Sequence, residues 1–210
     1  MAADVSITFL GGLGDIGRNC AVIESEGQLL VLDCGQLFPD ELMPGAESVL
    51  PDLRYLDDKG DRIVGCIVTH GHEDHIGALA PLLERFAFPI YGSPFTVGMV
   101  RTRLEEAGLL HRAELFPVAD NERRSIGLFD IEFLPVTHSV PCGLISAITT
   151  PQGVILHSSD FKLDLSPVDG RFTDLTRIGA IADSPGVRLL LCDSTNADVP
   201  GRSEIGRAHV

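Results

Sequence analysis

Six consecutive positions, His70-Gly71-His72-Glu73-Asp74-His75, hold three of the chain's seven histidines and two carboxylates. A solvated surface does not need that density, and a core would demand a partner for every buried polar ring. Imidazole nitrogen and carboxylate oxygen together suit a borderline divalent cation, zinc first, with manganese or iron within the same donor chemistry. The cluster therefore points to a metal-dependent hydrolase. His70 and His72 stand two residues apart, so they reach one ion only from an extended or looped backbone. Asp74 and His75 are adjacent, point differently, and suit a second ion. Four donors are too few for two ions, so other strand ends must add to them. His138 closes an apolar strand over residues 131–137. Asp160 closes another over residues 153–159, where its two oxygens could bridge two ions. Asp33, again at a strand end, suits accepting a hydrogen bond from a ligand imidazole. Taken singly, His138 would be an ordinary histidine, and Asp33 and Asp160 turn formers. Their strand-end context recommends them. His111 reads as a surface residue and His157 as a strand residue near the site but not a ligand.

The elements that must position these groups follow from patterning. Residues 5–10 alternate as a strand, and Gly12, Gly14 and Gly17 then satisfy G-x-G-x-x-G. A dinucleotide site requires a helix next. Residues 20–23 and 29–32 instead read as two strands joined by a polar turn, so that reading is rejected and the glycines shape a tight loop. Residues 38–52 form a Pro-rich surface loop. Residues 62–69 form a buried strand that delivers His70, and residues 76–86 carry helical spacing. The cluster thus lies on a strand-to-helix loop, where side chains can converge. Residues 94–110 read as a helix capped by Ser93 or Thr96. Residues 115–118, 125–128 and 130–136 read as strands of one meander. Residues 144–149 and 153–157 form a hairpin, and residues 188–192 a last strand ending at Asp193.

Composition bounds the function. The 210 residues, 44% hydrophobic, suffice for a substantial core. No apolar run approaches the ~18 residues of a membrane span, so no membrane partner is expected. The start lacks the basic and apolar regions of a secretory signal. Five scattered cysteines without a C-x-x-C pair read as reduced thiols of a cytoplasmic protein. A formal net charge of -14 argues against a general nucleic-acid coat. Bound divalent ions among the carboxylates would soften that objection locally. The arginine pairs Arg101 with Arg103, and Arg123 with Arg124, read as solvated surface.

The spacing His-x-His-x-Asp-His, with an upstream aspartate and a downstream single His and Asp, resembles the metallo-β-lactamase superfold. The stretches around it, residues 11–19, 69–77, 138–141, 160–164, 166–170 and 192–197, look like the N-terminal part of the ribonuclease J family in the β-CASP branch. The resemblance implies an α/β fold, an αββα sandwich truncated before the β-CASP domain. It implies that His70, His72 and His138 bind one ion, that Asp74 and His75 bind the other, and that Asp160 bridges, with Asp74 and Asp160 the catalytic carboxylates. The implied cofactors are two divalent ions, zinc first and manganese second. The implied activity is hydrolysis of an RNA phosphodiester by a metal-bound hydroxide, as a 5′-to-3′ exonuclease and an endonuclease in RNA processing and decay, including rRNA processing. A homo-oligomer is implied for the full-length protein. Two departures stand out: Ser158-Ser159 where the family often has Thr-Gly, and Cys142 where a carboxylate is frequent. Neither is expected to touch a ligand. The competing reading on the same fold is a hydrolase of a small thioester, lactone or lactam.

The expected organisation is a metallo-β-lactamase domain over residues 1–198 and the start of a linker over residues 199–204. The β-CASP domain and one further metal histidine would lie beyond it. Residues 205–210, Ile-Gly-Arg-Ala-His-Val, match a forward translation of a common sequencing adapter (ATC GGA AGA GCA CAC GTC). They are expected to be adapter-derived, so His209 carries no functional weight. A chain of this extent, lacking a ligand and one wall of an RNA channel, is expected to be weakly active or inactive alone.

Overall fold

The strand β1 (Val5–Gly11) runs into the glycine loop and emerges not as a helix but as β2 (Cys20–Ser25), which turns tightly into β3 (Gln28–Leu32). The turn is built on Glu26 and Gly27, both with positive φ. The computed structural model describes residues 3–41, 43–195 and 197–201; the tail at 205–210 lies outside the described residues. β4 (Ile63–Ile67) pairs parallel with β3, β5 (Ile90–Gly92) parallel with β4, and β6 (Leu115–Pro117) parallel with β5. These six strands form one sheet in the order β1-β2-β3-β4-β5-β6. The second sheet contains β7 (Arg123–Ile126), β8 (Phe129–Val136), β9 (Gly143–Thr150), β10 (Gly153–His157) and β11 (Val187–Leu191), in the order β11-β10-β9-β8-β7. β11 runs parallel to β10; the rest of that sheet is antiparallel.

The two sheets face each other across one core. Ile23, Leu30, Leu32 and Ile67 from the first meet Phe129, Ile131, Phe133, Ile148 and Ile155 from the second. The other face of the first sheet, with Val22, Val31, Cys66 and Val68, packs against α1 (Glu73–Ile76), α2 (Leu79–Arg85) and α3 (Pro94–Glu106) through Ile76, Leu79, Leu82, Val100 and Leu104. The outer face of the second sheet takes α4 (Leu175–Asp183), with Ile181 against Leu134, Val136, Ile145 and Leu156. The architecture is the αββα sandwich. No helix among the described residues is long and apolar enough to cross a membrane.

Several boundaries differ from expectation, each for a physical reason. The helix read over residues 76–86 starts earlier, at Glu73, and breaks after Ile76, because the Ala78 amide is diverted to the Cys34 carbonyl (2.9 Å). Ser93 caps α3 by accepting from the Thr96 amide. α3 ends at Glu106 rather than 110: Gly108 takes a positive φ, and the Leu109 and Gly108 amides return to the Leu104 and Glu105 carbonyls. That paired return is the glycine stop of a helix. β6 joins the first sheet beside β5, not the meander, and β7 begins at Arg123 rather than 125. Neither β5 nor α4 was foreseen. α4 carries its own start signal in Asp174, which accepts from the Arg177 amide (2.8 Å).

The inter-sheet core sets a stability prediction. Phe133 is fully buried between the sheets. Phe133→Ala should cost about 3–5 kcal/mol in urea unfolding. Leu165→Ala, at a side chain 83% exposed, should stay within about 0.5 kcal/mol. Equal effects of the two substitutions would contradict the assigned core.

Candidate metal centre

The site assembles where strands of both sheets end at one edge. β4 runs through Val68 and Thr69 to His70, which is buried. His72 keeps an extended backbone (φ -69°, ψ 151°) and caps α1, so the next turn swings Asp74 and His75 to a different side. That turn is clamped by backbone bonds from two other segments. Asn19, Cys34 and Gln36 amides donate to the carbonyls of Asp74 (3.0 Å), His75 (2.9 Å) and Glu73 (3.0 Å). Gly35 makes this approach possible, since a Cβ there would overlap the Asp74 carbonyl. Further bonds hold Glu73, from Gln36 Nε2 (3.1 Å) and from Arg103. His138 follows the end of β8 and Asp160 the end of β10, next to a bridge between Thr137 and Lys162.

The six expected donors lie together. His70, His72, His138 and Asp160 each present a ligand atom, and those atoms lie within 4.8 Å of one another. Asp74, His75 and Asp160 form a second such group, so Asp160 belongs to both. His70 Nε2 is 3.0 Å from His72 Nδ1, and His138 Nε2 is 3.3 Å from the same atom. Asp160 Oδ2 is 3.5 Å from His138 Nε2, while Oδ1 is 3.3 Å from His75 Nε2. Asp74 Oδ2 is 3.6 Å from His75 Nε2. Three ring nitrogens converging this closely cannot all be satisfied by shared protons, because one hydrogen satisfies one pair and leaves the remaining lone pairs opposed. A cation among them removes that conflict, and nitrogen with carboxylate oxygen is the donor set of a divalent metal. The residues present fit such an ion at both groups.

A buried polar layer lies beneath. Asp33 accepts from His75 Nδ1 (2.8 Å), from the Thr69 amide (2.8 Å) and from the Thr69 hydroxyl. With Nδ1 thus engaged, Nε2 of His75 is the nitrogen turned to the site. Burial works against every charge here. Even so, the charge of Asp33, with Asp160, holds His75 far above the usual imidazole range, and His75 holds both carboxylates below theirs. Burial, then the charge of His75, pushes His70 well down, and burial also lowers His138. His157, at the end of β10, lines the cleft; it belongs to neither donor group, and its shielded Nδ1 has no partner among the described residues. His111 is exposed.

Two contacts went unseen in the sequence. Ser159 was expected to touch no ligand, yet its hydroxyl donates to Thr69 Oγ1 (2.7 Å) and lies 3.4 Å from His70 Nδ1. It holds a positive φ of 55°, where glycine is the easier residue, and its hydroxyl bond compensates. Asn19 reaches Asp74 across a separation of 55 residues, a pairing that no local pattern announces. An open cleft of about 590 Å³ leads to the Asp74–His75–Asp160 side, lined by the glycine loop and by Cys192, Asp193, Ser194 and Thr195.

The fold and this edge-on cluster define a class. The family model of the metallo-beta-lactamase superfamily matches residues 13–197, and the chain belongs to that superfamily. Ribonuclease J of Mycolicibacterium smegmatis (strain ATCC 700084 / mc(2)155) is 45% identical over 205 residues, which cover 95% of this chain and 36% of that protein. Ribonuclease J of Synechocystis sp. (strain ATCC 27184 / PCC 6803 / Kazusa) is 46% identical over 194 residues, 91% of this chain and 30% of that protein. The chain thus spans about a third of the length of the curated relatives it matches. A crystal structure of a protein of unknown function from Enterococcus faecalis V583 matches with a TM-score of 0.70 and 17% identity, covering 97% of this chain and 52% of that one. That likeness speaks for the fold alone.

Removing the buried acceptor tests the layer under the site. Asp33→Ala leaves the Thr69 amide, the Thr69 hydroxyl and His75 Nδ1 without their acceptor. It should lower stability by about 3–5 kcal/mol in chemical denaturation and weaken divalent-ion binding about 10–100-fold. Asp33→Asn keeps one acceptor and should cost less on both counts.

Proposed function

We propose that this chain carries the metal-binding part of a ribonuclease that hydrolyses RNA phosphodiesters, as exonuclease and endonuclease, in the cytoplasm. The observation that carries the reading is the convergence of His70, His72, His138, Asp74, His75 and Asp160 into two groups sharing one aspartate. The relatives named ribonuclease J direct it toward RNA. His70, His72 and His138 would hold one ion, Asp74 and His75 the other, and Asp160 both. Zinc suits the imidazole-rich group best, with manganese the alternative. Two such ions would lower the pKa of a bound water, polarise a phosphoryl oxygen and stabilise the leaving oxygen.

The chain's own groups define how a phosphodiester would sit. Asp160 is shared by the two groups, so it would help to hold both ions beside one another. Asp33 and Thr69 keep His75 in one tautomer, with Nε2 directed outward. Ser139 lies at the mouth, its hydroxyl 3.4 Å from His72 Nε2 and from His138 Nε2, and offers a polar contact to a bound oxygen. A homo-oligomer is proposed for the full-length protein.

The test uses the intact protein with 5′-monophosphorylated RNA and, in parallel, thioester and lactam substrates. RNA should be cleaved, chelation should abolish cleavage, and His72→Ala should reduce it about 100-fold or more. Hydrolysis of the small substrates without cleavage of RNA would overturn the substrate assignment. Undiminished cleavage by His72→Ala would overturn the site.

A further inference from the structure

Asn19 stands on the return from the glycine loop into β2, and its carboxamide is placed against the Asp74–His75 pair. Nδ2 lies 3.1 Å from the Asp74 carbonyl, 3.1 Å from Asp74 Oδ2 and 3.1 Å from His75 Nε2. A carboxamide nitrogen carries two hydrogens. The two Asp74 oxygens are obligate acceptors, so both hydrogens go to them, and the His75 Nε2 lone pair is left free. The backbone repeats the link: the Asn19 amide also donates to the Asp74 carbonyl (3.0 Å), and the Asn19 carbonyl accepts from the Gly35 amide (2.9 Å).

Two glycines make room for this unit. Gly12 has a φ of +82°, and a Cβ there would lie 2.7 Å from Asn19 Oδ1; a Cβ on Gly35 would overlap the Asp74 carbonyl. Without Asn19, the Asp74 carboxylate, 30% exposed, would keep only His75 Nε2 near it among the contacts of the described residues. Nothing else there fixes which way its oxygens point.

We propose that Asn19 is a positioning residue for one ion of the pair: it acts through Asp74, aiming one carboxylate oxygen at the position that His75 Nε2 and Asp160 Oδ1 also face. Its side-chain contacts among the described residues are with Asp74 and His75, not with His70, His72 or His138. This rests on the two-ion reading above. Asn19→Ala should therefore weaken one ion and spare the other.

The experiment counts zinc ions per chain by native mass spectrometry across a buffered zinc titration of the intact protein, with the melting temperature of the metal-free form read alongside. The wild type should bind two ions. Asn19→Ala should bind the first with unchanged affinity and the second about tenfold or more weakly, with the metal-free melting temperature unchanged. Asn19→Ser, whose hydroxyl is too short to reach the carboxylate, should give the same split and serves if the alanine variant does not fold. Two ions bound as tightly as in the wild type would overturn the Asn19 role and leave the two-ion reading standing. Equal weakening of both ions with a lower metal-free melting temperature would show a merely structural residue and overturn it too. A wild type that binds a single ion would overturn the two-ion reading itself, and the role of Asn19 with it.

Discussion

The buried carboxylate of Asp33 is the constraint on which the rest depends. Taking it out of water costs several kcal/mol unless its oxygens are filled. They are filled by the Thr69 amide, the Thr69 hydroxyl and His75 Nδ1, all belonging to the segment that also carries His70, His72 and Asp74. Asp33 itself ends β3, whose parallel neighbour β4 leads to that segment. The pairing of two central strands, the descent of the loop after β4 and the orientation of His75 are thus one interaction. None can relax without leaving a charge unpaired in the interior.

The same economy governs where the other donors fall. His70, His138 and Asp160 each follow the C-terminal end of a strand, from β4, β8 and β10, and Asp193 follows β11 in the same way. Within the strands, alternate side chains are committed to the inter-sheet core, where Phe129, Phe133 and Ile67 leave no room for polar groups. Donors can appear only where that alternation stops. Two sheets packed face to face bring their strand ends to a common edge, so residues 90 apart, Thr69 and Ser159, meet in a hydrogen bond.

This explains what the sequence disclosed and what it hid. His70 to His75 was legible as a candidate site from its density of imidazoles and carboxylates, and His138 and Asp160 because each stands where an apolar strand run gives way to polar residues. Asp33 was legible for the same reason, and its bond to His75 follows from its place at the end of β3. The break between α1 and α2 was not legible. It depends on the Ala78 amide finding the Cys34 carbonyl, 44 residues away, and helical spacing runs through it undisturbed. β6 was misplaced because three residues carry no sign of which sheet they will join. Ser159 was misjudged because its role comes from a left-handed backbone and a distant threonine. Local periodicity reports which face is buried; it does not report which carbonyl an amide will choose.

Charge is the remaining tension, since a chain with a formal net charge of -14 is an unpromising surface for a polyanion. The sum over the chain is the wrong quantity, because a phosphate responds to the field where it binds. Many of the carboxylates are already paired: Glu132 takes Arg123 and Arg177, Asp120 takes Arg171, and Glu122 takes Arg124. At the site itself the acids are unevenly placed. Asp15, Asp193 and Asp198 line the cleft on the Asp74–His75 side, and Asp15 is paired with Arg18. The opposite side presents His72, His138 and the Ser139 hydroxyl. A phosphate arriving there would meet imidazole and hydroxyl. Cations held by Asp74 and Asp160 would offset the acidic side from within, so the carboxylates that make the whole chain repellent are, at this edge, the groups that would make it receptive.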